Sequence, residues 1–236
     1  MGERRATDTA VRPTTGARVL AGYRLAVAIV VLVAVVVQLR VALDRGASAA
    51  NFFSFFTIQS NLIGAASFVV AALTPRRARQ SFGLSLFRGA ATQYMAITGM
   101  VFALLLRGLE ESLQTTVPWI NAVLHYLFPL TIVADWLLDR TVRGLRTRDG
   151  LVFLIYPIAY LAYSLIRGPI VDWYPYPFID PRSGGYGLVA VMSLLVAVIA
   201  VAAAAVLCWT SRLDLGRPAH AVEGPAVDAP RADRRT

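Results

Sequence analysis

Six stretches of the chain, at about 17–43, 52–73, 89–106, 118–138, 151–166 and 186–209, are almost continuously apolar. Each approaches the length of about 20 residues that a helix rising 1.5 Å per residue needs to cross the hydrocarbon of a bilayer. The polar positions do not repeat along one face as they would in a surface helix of a soluble protein. This pattern predicts an all-α, polytopic integral membrane protein with six transmembrane helices. Residues 1–16 and 212–236 are polar and read as disordered tails around a single domain at 17–211. Ala47-Ser48-Ala49 has the small-x-small form of a signal-cleavage site. Arg40 and Arg45 separate it from an apolar run already too long for a signal peptide, so the first span is expected to stay.

Composition sharpens this picture. Hydrophobic residues make up 57% of the chain and the mean hydropathy is +0.59, outside the range of soluble domains. The net charge of +9 comes from 23 basic residues, all of them arginine, and the absence of lysine suggests GC-rich coding and a bacterial source. These arginines punctuate the apolar runs instead of lining one helix face, which argues for membrane topology and against nucleic-acid binding. Fourteen fall on one side: Arg4, Arg5, Arg12, Arg18, Arg76, Arg77, Arg79, Arg88, Arg140, Arg143, Arg146, Arg148, Arg212 and Arg217. Five fall on the other, Arg40, Arg45, Arg107, Arg167 and Arg182, among the acidic residues Asp44, Glu110, Glu111, Asp172 and Asp180. The imbalance predicts that both termini are cytoplasmic, as in a multi-pass plasma-membrane protein. The single Cys208 leaves no intrachain disulfide or cysteine-based metal cluster.

Two spans carry more polarity than crossing a membrane requires. The second holds Thr57 and Asn61, and the fourth holds Asn121 and His125; each pair is four residues apart and shares a helix face. Ionisable and polar groups in hydrocarbon are costly and mark functional sites by default. Counted from the outer end of their spans, Thr57 lies roughly 7 Å deep and His125 roughly 9 Å, so they can share a site near the outer leaflet. A neutral imidazole is the usual base that converts a hydroxyl into a nucleophile near neutral pH. Asn61 and Asn121 could orient these groups or donate to an oxyanion; they could equally hold helices together. Pro129 lacks the N–H that would bond the His125 carbonyl and predicts a kink there. Asp135, roughly 15 Å deeper than His125, cannot orient the imidazole and is expected to pair with arginines of the cytoplasmic side.

In the fifth span Tyr156, Tyr160, Tyr163 and Arg167 recur on one face. Tyr163 and Arg167 approach the depth of the proposed site, where Arg167 could clamp a carboxylate, and Tyr160 joins them as a candidate substrate-binding or orienting residue; the alternative is an interfacial aromatic belt with a snorkelling arginine. The loop from Asp172 to Pro181 is aromatic and proline-rich, suited to a lid or to a headgroup anchor. No dinucleotide fingerprint, phosphate loop, zinc-protease motif or Gly-x-Ser-x-Gly elbow occurs, so no metal or organic cofactor is expected.

With Thr57 and Asn61, Asn121-x-x-x-His125 followed by Pro129, and Tyr176-Pro177-Phe178, the chain resembles the androgen-induced protein family. That family includes the androgen-dependent tissue-factor-pathway-inhibitor-regulating protein, and the likeness is greater to its bacterial six-span relatives. The resemblance covers most of residues 20–210. It implies an intramembrane threonine hydrolase of fatty acid esters of hydroxy fatty acids, with Thr57 as nucleophile and His125 as base. The implied partners are a lipid ester substrate and the bilayer. A non-catalytic lipid-binding or transport protein, with the same polar residues lining a cavity, is the alternative.

Overall fold

The structure is a computed structural model that describes residues 14–75, 79–109, 117–139 and 141–213. The two tails at 1–13 and 214–236, the arginines at 76, 77 and 140, the acidic pair at 110 and 111, and Thr115-Thr116 lie outside the described residues. The described residues contain helices and no strand. The principal helices are α1 (Thr15–Asp44), α2 (Ala49–Phe53), α3 (Phe56–Leu73), α4 (Phe82–Val101), α5 (Pro118–Ala122), α6 (Phe128–Leu138), α7 (Leu151–Val171) and α8 (Pro181–Thr210). A π-helical turn, Phe102–Leu106, extends α4, and another, Val123–Leu127, joins α5 to α6. These elements make six spans long and apolar enough to cross a membrane, and the protein is an all-α, multi-pass membrane protein.

Most spans are longer than the apolar runs predict. Thr14 caps α1 by accepting the Ala17 N–H, so the helix takes in residues 15 and 16, which the sequence pattern assigns to the tail. At the other end Arg212 is also structured, donating to the Leu145 carbonyl at 2.6 Å.

On α1 the buried positions Arg24, Ala28, Val31, Val35, Gln38 and Ala42 recur every three or four residues and pack on α3. Small residues in that row let the two backbones approach closely. The centre of the bundle is α4, which packs on α3, α6, α7 and α8. Of its apolar window 61% is buried, against 17% for the span containing α7, so α7 sits at the periphery. Gly64 and Gly89 allow close approach, because a Cβ at either would meet the rings of Phe128 or Phe153 within 2.7 Å.

The arginines that pair with Asp135 are Arg24 and Arg88, inside the bundle. Arg24 binds Asp135 through Nε at 3.0 Å and Asp139 through Nη2 at 2.5 Å. Arg88 binds Asp135 at 2.5 Å and Asp139 at 2.8 Å. All four side chains are buried. Arg24 therefore does not snorkel as its place near a span end suggests; two carboxylates on α6 and its C-terminal end hold it inside. Burial alone would raise the Asp139 carboxyl pKa. The Arg88 charge, together with hydrogen bonds from Thr141 and Arg24, instead holds it below the usual carboxylate range.

Candidate active site at the start of the third helix

The second apolar stretch is two helices in series, so Thr57 does not lie five residues into a continuous helix. Ser54 ends α2, its hydroxyl donating back to the Ala50 carbonyl at 2.7 Å. Phe55 is extended (φ −72°, ψ 129°), and Thr57 becomes the second residue of α3. No glycine or proline causes the break. The Tyr160 phenol bridges it, accepting the Phe56 N–H at 3.2 Å and donating to the Ser54 carbonyl at 2.9 Å. A helix start leaves backbone N–H groups without partners, and here residues distant in sequence supply acceptors.

Tyr176 supplies the next one. Its phenol oxygen accepts the Thr57 N–H at 3.1 Å and lies 3.3 Å from Thr57 Oγ1. The Tyr176 ring stacks on Phe178 with centroids 5.3 Å apart and meets Phe55 edge to face. The chain before Tyr176 folds back because Asp172 takes a left-handed conformation and the Trp173 N–H bonds the Gly168 carbonyl at 3.1 Å. Gly168 is needed there: a Cβ on it would lie 2.0 Å from the Tyr174 ring. Arg182 fastens the loop from its far end, bonding Asp172 at 2.6 Å and Asp180 at 2.7 Å.

Below this loop lies a cavity of about 160 Å³, bounded by α3, α4, α7 and α8 and roofed by Tyr176, Phe178 and Ile179. Its wall is largely aliphatic, with Thr57, Thr98, Tyr160, Tyr176 and Ser193 as the hydroxyl-bearing residues. Ile158 of α7 and Val201 of α8 line it and are 65% and 52% exposed, so the cavity reaches the lipid-facing surface between those helices. Ser60 lies behind the wall, its hydroxyl 2.7 Å from that of Thr98.

The spans carrying Thr57 and His125 are neighbours, joined by Asn61. Its Nδ2 donates to the Thr57 carbonyl at 2.8 Å and to the Leu124 carbonyl at 3.2 Å. The π turn explains why Leu124 needs that donor. The Phe128 N–H bonds the Val123 carbonyl, five residues back, and the next N–H in this register would be that of Pro129. The acceptor left open in this register is thus that of Leu124, one residue before the carbonyl predicted from α-helical spacing. His125 is buried and stacks on Phe102, centroids 3.9 Å apart, and is not among the described residues lining the cavity. Asn121 is half-buried, and its side-chain oxygen has no hydrogen-bond partner among the described residues.

The α7 stripe closes against the α2–α3 break. Tyr156 donates to Gln59, the Tyr163 hydroxyl lies 2.8 Å from that of Ser54, and Arg167 donates to Asn51 at 2.7 Å. Arg167 also lies over the Trp173 ring, 5.6 Å from its centroid. Of the stripe's expected substrate contacts, Tyr160 lines the cavity, while Tyr163 and Arg167 stand outside its wall. Sequence reasoning left Tyr176 without a site role; its signals were its place in an unusually aromatic loop and in the Tyr176-Pro177-Phe178 stretch that carries the family resemblance. Among the described residues no group of three or more His, Cys, Asp or Glu could hold a metal ion. Comparison with known protein families, with curated proteins and with solved structures returns no match.

Proposed function

We propose that the chain is an intramembrane hydrolase of lipid esters, of the fatty-acid-ester-of-hydroxy-fatty-acid type, and a bacterial plasma-membrane member of the androgen-induced protein family. The observation that carries the reading is Thr57: a hydroxyl at a helix start, on the wall of an apolar cavity that reaches the lipid-facing surface between α7 and α8. An acyl chain suits such a wall, and an amphiphile can reach it sideways from the bilayer. Thr57 Oγ1 attacks the ester carbonyl as His125 takes its proton, and the imidazolium returns a proton to the departing alcohol. Water then releases the acyl group by the same sequence. Asn61 supports this division of roles, because one amide fixes the turn of Thr57 to the turn of His125.

Covalent labelling tests the reading. A long-chain fluorophosphonate applied to the protein in detergent should modify Thr57, identified by peptide mapping, and should fail to modify His125→Ala. The alternative, a lipid-binding or transport protein, draws on the absence of His125 from the cavity wall. It predicts saturable fatty-acid binding with no covalent adduct.

A further inference from the structure

We propose that Tyr176 is the oxyanion donor of this site: its phenol O–H hydrogen-bonds the ester oxygen as negative charge develops on it. The inference rests on the hydrolase reading above and adds a catalytic residue to it.

Attack by Thr57 Oγ1 forms a C–O bond, moves the carbonyl π pair onto oxygen and passes the hydroxyl proton to His125. The resulting oxyanion lies in apolar surroundings, where an unpaired charge is costly and a correctly placed donor is worth far more than in water. Asn61 is already committed, since its two N–H bonds go to the carbonyls of Thr57 and Leu124. The Phe56 N–H is held by Tyr160, whose own proton goes to the Ser54 carbonyl. Thr98 donates to the Tyr94 carbonyl at 3.0 Å. The Thr57 N–H points at the Tyr176 oxygen.

The Ser193 hydroxyl on the α8 wall has no hydrogen-bond partner among the described residues, so commitment elsewhere does not remove it; what distinguishes Tyr176 is its place against Thr57 itself. Its oxygen accepts the Thr57 N–H, which leaves its proton to donate, and the same oxygen lies 3.3 Å from the attacking atom. It is fixed, being buried between Phe55 and Phe178 in a loop fastened by Arg182. An N–H bonded to a phenol oxygen polarises the O–H beyond it, so Tyr176 carries the positive end of α3 into the cavity. Burial raises the phenol pKa and the hydrogen bonds from Thr57 offset part of the rise, so the group stays protonated at neutral pH.

The experiment compares wild type, Tyr176→Phe and Thr57→Ala in detergent, using hydrolysis of a long-chain p-nitrophenyl ester and fluorophosphonate labelling. Tyr176→Phe should lower kcat by about 100- to 1,000-fold with KM within a few-fold of wild type, the signature of a lost oxyanion donor. Its affinity for a long-chain trifluoromethyl ketone, which forms a tetrahedral adduct, should fall in parallel, while affinity for the matching ether should not. Wild-type kcat in a folded Tyr176→Phe that Thr57 labelling still marks would overturn the inference and leave the hydrolase reading standing. Absence of both hydrolysis and labelling in wild type would end both. Should Tyr176→Phe fold poorly, 3,5-difluorotyrosine at position 176 keeps its contacts and lowers the phenol pKa. The alkaline limb of kcat then moves to lower pH if Tyr176 supplies the donor, and an unmoved limb overturns the proposal.

Discussion

Asn61 donates to the carbonyl of Leu124 at 3.2 Å, the group that the π turn leaves open opposite Pro129. Two conditions, a proline that lacks a donor and an asparagine that replaces it, are met on different spans. Removing one partner of a buried hydrogen bond costs the desolvation of the other, about 1–3 kcal/mol. Asn61→Leu should therefore lower the melting temperature in detergent. Pro129→Ala restores a backbone donor on the same helix, so the double variant should lose less than the sum of the single ones. Strict additivity in thermal melts would show that the two residues are not coupled.

That pairing also shows how far the sequence carries the structure. The spans were legible because hydrocarbon imposes a length and a composition, and both are local properties. The helix break at Ser54–Phe55 was not, because its cause is the Tyr160 phenol, which is brought in only when the chain folds. The stripe of Tyr156, Tyr160, Tyr163 and Arg167 was readable as one face of α7, but what that face meets depends on packing. Arg24 looks like a snorkelling residue from its place near a span end; only the approach of α6 shows that it is paired. Tyr176 lacked any periodicity that could place it, since it stands in a loop.

The hydrolase reading makes a demand on Thr57 and His125 together. Thr57→Ala and His125→Ala should each abolish ester hydrolysis while the protein remains folded, and the double variant should be scarcely worse than either. Thr57→Ser should keep part of the activity, because it retains the hydroxyl. Full turnover in a folded Thr57→Ala would transfer the role to water or to another hydroxyl, and Ser60, beside Thr98, would be the first to examine.

Topology can be tested independently of catalysis. Arg88 is inside the bundle, so it leaves the tally of loop arginines, and the remaining imbalance still predicts cytoplasmic termini. A cysteine at Ser183, which is exposed beside the aromatic loop, should react with an impermeant maleimide on intact cells. One at Arg148, exposed before α7, should react only after permeabilisation. The opposite result would place the cavity roof on the cytoplasmic face.

Arg167 bears on whether the substrate carries a free acid. Its guanidinium has five N–H groups, and the structure engages it through Nη2 with Asn51 and through its face with Trp173. An edge remains for a carboxylate held above the cavity while the ester reaches down to Thr57. Arg167→Gln should raise KM for esters bearing a free acid several-fold and leave a neutral ester of equal chain length almost unchanged. Equal losses on both substrates would identify Arg167 as an anchor of α2 and nothing more.

The charge quartet of Arg24, Arg88, Asp135 and Asp139 lies away from the cavity. Asp139 Oδ2 accepts from Arg24 at 2.5 Å, from Arg88 at 2.8 Å and from Gln80 at 3.1 Å, and its Oδ1 accepts the Thr141 N–H and hydroxyl. Asp139→Asn keeps the shape but removes the negative charge, leaving two buried guanidiniums facing the single carboxylate of Asp135. Breaking a buried ion pair by removing one partner costs about 3–5 kcal/mol, because the remaining charge cannot regain water. Asp139→Asn should therefore melt well below wild type in detergent. The same change in an Arg88→Met background should cost less, because the surplus positive charge is already gone. Since the quartet touches neither Thr57 nor the cavity wall, kcat measured on the folded fraction should stay near wild type. A melting temperature unchanged by Asp139→Asn would mean that water reaches the quartet and screens it.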